Sequence, residues 1–335
     1  MTRALVVEVL RDEAGLRALE PEWWRLWRRA PASTPFQSPA WLIAWWGVFR
    51  PGALLTIAVR QGGELVGLGP CYVEEGAHGR RLLPIGISLS DHLDMLIDPD
   101  CEGVAAMLVE TAAQDAGWDV WELEELPPGA AALSLPVPAG CEDAVEQASA
   151  CPVLALLNDV ERLADALPPK KRRDLNLARN RAARRGEVSI EAATPETAPA
   201  FLDELFRLHA LRWQSRGEPG VLADDSVRRF QREALPGLAA AGLLRLRLLR
   251  IDGQAVAAYY GFPHRGREYA YLTGLDPAYD FESPGAIVLA HAFEEAVVEG
   301  AREIHFLRGR EAYKYGWGAV DRWNRRRSFR RIAHG

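Results

Sequence analysis

Residues 243–262 constrain the fold more than any other stretch. Leu243-Leu-Arg-Leu-Arg-Leu-Leu-Arg-Ile251 is followed by Asp252-Gly253 and then Gln254-Ala-Val-Ala-Ala-Tyr-Tyr-Gly-Phe262. Two runs rich in branched and aromatic residues around Asp-Gly predict a tight hairpin, because a type I′ turn needs positive φ at both central positions. A third strand is expected over Glu268–Gly274, then a polar loop and an apolar helix from Ile287 to Val298, stopped by Gly300. A short strand over Glu303–Leu307 closes the unit.

The same order of elements occurs about 190 residues earlier. Leu54–Val59 and Glu64–Val73 flank Gln61-Gly62-Gly63, and strand-like runs follow at Leu82–Ile87 and His92–Ile97. A helix is expected over Val104–Ala116 before Gly117, with Trp118–Leu123 as the strand after it. A chain of 335 residues has room for two domains. The expected fold class is therefore α+β, with two tandem units that are each a twisted mixed sheet flanked by helices. The boundary is placed near residue 155, giving 1–155 and 156–335.

Between the repeats lies Leu163–Gly186, read as a helix. It contains Pro168-Pro169 and Lys170-Lys-Arg-Arg-Asp-Leu-Asn-Leu-Ala-Arg-Asn-Arg-Ala-Ala-Arg-Arg185, eight basic residues against one acid. Leu175, Ala178 and Ala182 form a narrow apolar stripe on it. The overall charge of −6 hides an asymmetry: residues 1–155 carry −12 and the remainder +6. A polyanionic ligand is drawn to the second half, be it a nucleotide cofactor or a nucleic acid. Cys71, Cys101, Cys141 and Cys151 form no Cys-x-x-Cys pair, which fits reduced thiols in a cytoplasmic protein. No secretory signal and no membrane-length apolar run is read.

Three places in the second half bear on chemistry. Phe281-Glu-Ser-Pro-Gly-Ala286 opens a helix, with Ser283 as a cap, Pro284 in the first turn and Gly285 leaving the amides open. Such a start attracts phosphate, although the same tripeptide is also an ordinary structural cap. The matching loop of the first half, Asp98-Pro-Asp-Cys-Glu102, has three carboxylates and would repel a diphosphate. Past the last strand comes Arg308-Gly-Arg-Glu-Ala-Tyr-Lys-Tyr-Gly-Trp-Gly318, where Lys314 is one of three lysines against 37 arginines. Its compact ammonium suits a carboxylate or phosphate, and Tyr313 and Tyr315 are candidate proton donors; packing of a short amphipathic helix explains the same residues.

Phe306–Gly318, Ser283-Pro-Gly285 and the basic helix together resemble the GNAT acetyltransferase superfamily. The branch they look most like is the one named for CelD, the cellulose-biosynthesis acetyltransferases, similar in turn to the FemXAB peptidyltransferases. Phe36-Gln-Ser-Pro-Ala-Trp41 and Ser90-Asp-His-Leu-Asp94 also look like this branch. The resemblance implies tandem GNAT-like domains with a degenerate N-terminal copy. It implies acetyl-CoA or another acyl-CoA as co-substrate, its pantetheine against Leu272, Thr273 and Gly274 and its diphosphate at Ser283, Pro284, Gly285 and Ala286. The superfamily loop has two small residues in Gly-x-Gly/Ala order, where this chain has Ser283-Pro-Gly-Ala286.

The expected reaction is direct attack of a small-molecule or peptide amine on the thioester. Glu311 or His305 is the candidate base, Tyr313 or Tyr315 the proton donor, and Arg308 and Lys314 orient an acidic acceptor or cofactor phosphates. No metal is expected, since His209, His264, His291 and His334 are scattered along the chain. A second reading is an aminoacyl-tRNA-dependent FemXAB-type transferase, or an RNA-binding module. It would use helix 170–185 with Arg322, Arg325, Arg326, Arg327, Arg330 and Arg331, and bind less tightly as salt rises. Walker, nucleophile-elbow, zincin and dinucleotide fingerprints are absent from the sequence.

Overall fold

Both hairpins form. Ile251 pairs with Gln254 across Asp252 and Gly253, whose φ values are 49° and 76°. Gln61 pairs with Glu64 across Gly62 and Gly63, at 62° and 88°. The structure is a computed structural model and describes residues 4–77, 79–156 and 162–332; His334 lies outside them. The chain divides into two units, Met1–Ser149 with Trp323–Gly335, and Ala150–Arg322.

Up to residue 155 the chain forms β1 (Leu5–Leu10), α1 (Glu13–Ala18), α2 (Glu20–Arg29), α3 (Pro39–Phe49), β2 (Ala53–Gln61) and β3 (Glu64–Gly76). Then come β4 (Gly79–Pro84), β5 (Leu96–Ile97), α4 (Val104–Gln114), β6 (Val120–Leu126) and β7 (Cys141–Ala155). From residue 162 it forms α5 (Leu163–Ala166), α6 (Pro169–Arg185), β8 (Val188–Ala192), α7 (Ala198–Gln214), α8 (Asp225–Ala240) and β9 (Arg245–Ile251). The last elements are β10 (Gln254–His264), β11 (Arg267–Leu275), α9 (Pro284–Val298), β12 (Glu303–His305), α10 (Ala312–Gly316) and β13 (Val320–Arg331).

The first unit has strand order β1-β2-β3-β4-β6-β13, and the second β8-β9-β10-β11-β12-β7. In each, one parallel pair is joined through a helix: β4 with β6 through α4, and β11 with β12 through α9. The repeat is therefore one of topology, and the fold is a mixed α+β one. The last strand of each order lies outside its own repeat. Residues 323–331 complete the first unit against β6, and Val153–Ala155 complete the second against β12.

Three expected elements differ. The run His92–Ile97 is strand only at Leu96–Ile97, and the preceding strand ends at Pro84. Residues between them turn at Gly86 and Ser88, both with positive φ, and the Asp94 carboxylate accepts the N–H groups of Met95, Ala131 and Ala132. The backbone bonds of this stretch to the neighbouring strands are isolated ones, Ile85 N–H to the Pro70 carbonyl and Leu93 N–H to that of Glu125, so no ladder forms. The helix expected over 163–186 breaks between α5 and α6 at Leu167-Pro168, as proline disfavours helical geometry in the residue before it. The third is α4, which stops at Gln114 because Asp115 folds back to accept the N–H of Gly117.

In the second unit β10 is buried on both faces, which suits its near-continuous apolar run. α6 and α9 cover one face and α7 and α8 the other. On the α9 side Phe293 meets the rings of Tyr259, Phe306 and Trp317 edge to face, and Lys171 caps Trp317 with its ammonium 3.9 Å from the ring centroid. Beside them a charged cluster has its inner pair, Arg245 and Glu268, buried in the sheet and its outer carboxylates towards solvent. Arg245, 2% exposed, pairs with Glu268 at 3.1 Å, Glu295 at 3.0 Å and Glu299, while the Tyr259 hydroxyl donates to Glu268 at 2.6 Å.

Removing one partner of such a cluster leaves a buried charge uncompensated. Arg245→Met is expected to cost about 3–5 kcal/mol of stability, and the double change Arg245→Met with Glu268→Leu to recover most of it. Urea denaturation of the three proteins checks this; a loss below about 1 kcal/mol for the single variant would show the cluster to be solvated.

Candidate acyl-transfer site

The second unit opens where β11 and β12 part. Their parallel pairing is confined to Arg267 with Glu303, Glu268 with Ile304 and Tyr269 with His305. β11 then runs on to Leu275 paired with β10 alone among the described strands. One extra residue, Tyr271, bulges it between the partners of Tyr260 and Gly261. The edge from Ala270 to Leu275, which includes Leu272, Thr273 and Gly274, is left with main-chain groups to offer.

The chain after β12 is drawn away from β11 by specific bonds. Phe306 N–H donates to the Pro152 carbonyl at 2.9 Å and Gly309 N–H to that of Ala150 at 3.0 Å, so the segment follows β7. Leu307 sits at φ 59° and Gly309 at 105°. Lys314, 2% exposed, fastens this turn: its ammonium donates to the carbonyls of Leu307 (3.2 Å), Arg308 (2.7 Å) and Gly309 (3.1 Å) and pairs with Glu311 at 2.9 Å. A small tetrahedral cation can meet three convergent carbonyls, and a planar guanidinium cannot. Lysine at this position in an arginine-rich chain therefore has a geometric cause.

α9 begins at the far end of the open edge. A Cβ on Gly285 would come within 3.1 Å of Leu275 Cδ2, so glycine lets the helix start lie against the strand end. Ser283 is left-handed at φ 53°, and its hydroxyl turns back to the Asp280 carbonyl, so α9 starts without a side-chain cap. Pro284 and Ala286 complete that first turn. Pro284 has no N–H and Ala286 donates to the Ser283 carbonyl at 3.0 Å, so Gly285 carries the amide of this turn that a diphosphate would use. α6 borders this place: Arg181 lies over the Phe281 ring and donates to its carbonyl at 3.2 Å, and Arg185 lies over Tyr279.

The remaining expected residues sit in different surroundings. Glu311 is exposed at the start of α10, paired with Lys314. Tyr313 is 42% exposed, edge-on to Phe306, and burial of its hydroxyl pushes its pKa up to about 12, with Glu311 adding to and Arg212 opposing the rise. Tyr315 donates to Asp321 at 2.7 Å and accepts from Arg310 at 3.2 Å, which ties it into a surface cluster. His305 is 5% exposed, stacked on Tyr269 and bonded to Glu303 at 2.9 Å; burial lowers its pKa against the pull of Glu303. Arg308 is half-buried on the turn that Lys314 holds.

Two residues escaped the sequence reading. His209 and Arg212 stand three apart on α7, hence on one helix face. Arg212 donates to Thr273 Oγ1 at 2.7 Å, on the open edge of β11. His209, 2% exposed, has no hydrogen-bond partner for Nδ1 among the described residues, and burial, helped by Arg212, pulls its pKa down to about 4. A Cβ on Gly274 would strike the His209 backbone N at 2.7 Å, so glycine lets α7 lie on the strand. The available signal was the interruption of the Leu202, Leu205, Leu208 stripe by polar residues.

In the first unit the equivalent opening is filled. Leu93 N–H donates to the Glu125 carbonyl at 3.0 Å, and Leu93, Asp94 and Met95 pack between Pro84 and Leu123, leaving a cavity of about 10 Å³. The two first-half segments named above lock this plug. Gln37 donates to the His92 carbonyl at 2.7 Å and Trp41 to the Ser90 hydroxyl at 2.9 Å. Asp98, before α4, is held by Arg29 at 2.6 Å. Among the described residues no cluster of His, Cys, Asp and Glu could hold a metal ion, and no helix is long and apolar enough to cross a membrane. All four cysteines are free thiols.

Residues 169–315, within the second unit, match the family model described as an acetyltransferase (GNAT) domain. No curated protein matches the chain in sequence. Solved structures share the fold along nearly its whole length. A structure titled FemX is 12% identical with a TM-score of 0.68, covering 92% of this chain and 95% of its own. L-PGS from Bacillus licheniformis is 14% identical at 0.58, covering 97% and 93%. A tandem GNAT protein from the clavulanic acid biosynthesis pathway is 15% identical at 0.51, covering 99% and 100%. At these identities the likeness is one of fold.

Because His209 stays neutral when folded and takes up a proton when unfolded, its contribution is complete above pH 6.5 and is lost as pH falls towards 4. The loss is roughly 3 kcal/mol at most. His209→Gln is expected to flatten this acid limb of the stability profile, read by denaturation between pH 4 and 7; an unchanged slope would show that the ring is protonated when folded.

Proposed function

We propose that the second unit is an acyl-CoA-dependent N-acyltransferase, with acetyl-CoA as the co-substrate. The observation that carries this reading is the unpaired edge of β11 ending at the uncapped start of α9. An extended pantetheine needs a strand edge to bond to, and a diphosphate needs free amides at a helix start. The thioester supplies a carbonyl carbon open to attack by an amine.

The chain's own groups have distinct tasks in this scheme. Main-chain groups of Leu272, Thr273 and Gly274 bind the pantetheine and offer an N–H to the developing oxyanion. Ser283, Pro284, Gly285 and Ala286 frame the diphosphate. Tyr313, protonated throughout the physiological range, donates its proton to the departing thiolate. Glu311, exposed at the mouth of α10, takes the amine proton; His305 is the second candidate, buried and bonded to Glu303. Lys314, with its donors bound to carbonyls, holds the open turn, and Arg308 remains the orienting cation on it. The filled opening of the first unit supports a degenerate copy with no cofactor site. Placement in the CelD-like branch rests on the interlocked segments Phe36–Trp41 and Ser90–Asp94.

A second reading, transfer from an aminoacyl-tRNA, is favoured by one observation. Lys170, Arg172, Arg173 and Arg184 are exposed on α6 with no carboxylate partner among the described residues. Arg322, Arg326 and Arg327 weigh less, since each is paired with a carboxylate.

Saturating acetyl-CoA is expected to raise Tm and to slow hydrogen exchange over 281–287. Tyr313→Phe is expected to lower kcat by about a hundredfold with little change in acetyl-CoA KM. Protection by charged tRNA alone, weakening between 50 and 200 mM salt, would replace this reading with the second.

A further inference from the structure

Several buried and half-buried arginines of the second unit have carboxylate counter-ions, and Arg181 is held by the carbonyl and ring of Phe281. Arg245 has three carboxylates, Arg247 has Glu295, Arg250 has Glu191 and Arg267 has Glu303. Arg212 differs. It is half-buried, and among the described residues no carboxylate lies within ion-pair distance of it. Its guanidinium donates through Nη1 to the Thr273 hydroxyl (2.7 Å) and carbonyl (3.4 Å), while Nε has no partner.

A desolvated cation without a paired anion is costly, and proteins keep one where a ligand completes the pair. Burial and the neighbouring Arg216 both disfavour the charge, opposed by Tyr313, Glu311 and Asp280 in the wider surroundings. The place matters as much as the charge. Thr273 belongs to the edge of β11 that β12 leaves open, so an anion on Arg212 would sit beside the reacting thioester. Polar groups without partners continue along the same layer. Gln231 Oε1 and the Tyr260 hydroxyl are fully buried and unpaired, and the Gln231 amide reaches the Tyr271 hydroxyl only at 3.5 Å. His209 completes the set, with its neutral ring on the helix face of Arg212.

We propose that the acceptor is an amine bearing its own anionic group, an amino acid or short peptide, whose carboxylate pairs with Arg212. This deepens the acyl-transfer reading and rests on it. The bidentate fork of arginine would hold the carboxylate and point the acceptor's nitrogen at the thioester carbonyl.

The test measures thiol release from acetyl-CoA. Acceptors are the proteinogenic amino acids and glycyl dipeptides, each as free acid and as C-terminal amide, with O-phosphoethanolamine as a phosphate-bearing amine. The expected result is a free acid favoured over its amide by about a hundredfold in kcat/KM. Arg212→Met should erase that ratio, and Arg212→Lys should restore part of it. A preference for O-phosphoethanolamine that also depends on Arg212 upholds the anion site and replaces the carboxylate by a phosphate. Amides used as well as acids, or a ratio unchanged in Arg212→Met, overturns the proposal. Calorimetry with acetyl-CoA separates the two readings: binding without discrimination sinks the anionic acceptor alone. If acetyl-CoA gives no heat, the acyl-CoA reading falls. The anion site is then judged by the Tm rise that the same acids and amides give to wild type and Arg212→Met. Equal rises overturn it.

Discussion

The open groove depends on one ammonium group. Lys314 gathers three successive carbonyls, and those carbonyls belong to the turn that carries the chain off β11. Without a cation there, the carbonyls of Leu307, Arg308 and Gly309 would lose their common donor, and Leu307 its reason to stay left-handed. The parallel pair could then zip beyond Tyr269 and His305, closing the edge that the proposed chemistry needs. A side chain that looks like a ligand-binding charge in the sequence thus acts on the backbone.

The two units show what the same topology does with and without such an opening. In the second, β11 keeps its outer edge bare and α9 starts without a side-chain cap. In the first, the chain doubles back and its own Leu93, Asp94 and Met95 fill the equivalent place, with Asp94 satisfying the amides of Ala131 and Ala132. Both solutions obey one rule: main-chain groups at a split between strands must find partners, from the chain itself or from a bound molecule.

The sequence made the hairpins, the order of strands and the helix start at Ser283-Pro284 legible, because turn chemistry and periodicity are local. It was less informative where the partner is distant. His92–Ile97 has the apolar content of a strand, yet the hydrogen bonds of Asp94 lie some 37 residues away. Arg212 sits on a helix among other arginines, and only the folded chain shows that it lacks a counter-ion beside Thr273. Lys314 stood out by composition, but carbonyl oxygens as its partners leave no mark in residue identity. What the residue types alone could not convey was the surroundings of these individual cations.

The strand over residues 323–331 has a consequence for biogenesis. It pairs with Val120–Leu126, so the first unit's sheet stays one strand short until some 200 further residues have been synthesised. On the ribosome β6 must wait as a bare edge carrying Trp121, Leu123 and Leu126, the kind of surface that invites wrong pairing. Its three acids, Glu122, Glu124 and Glu125, keep that edge charged in the interval. The strand that completes the first unit is thus made after the whole of the second, and a nascent chain halted between the two would carry an unfinished first sheet.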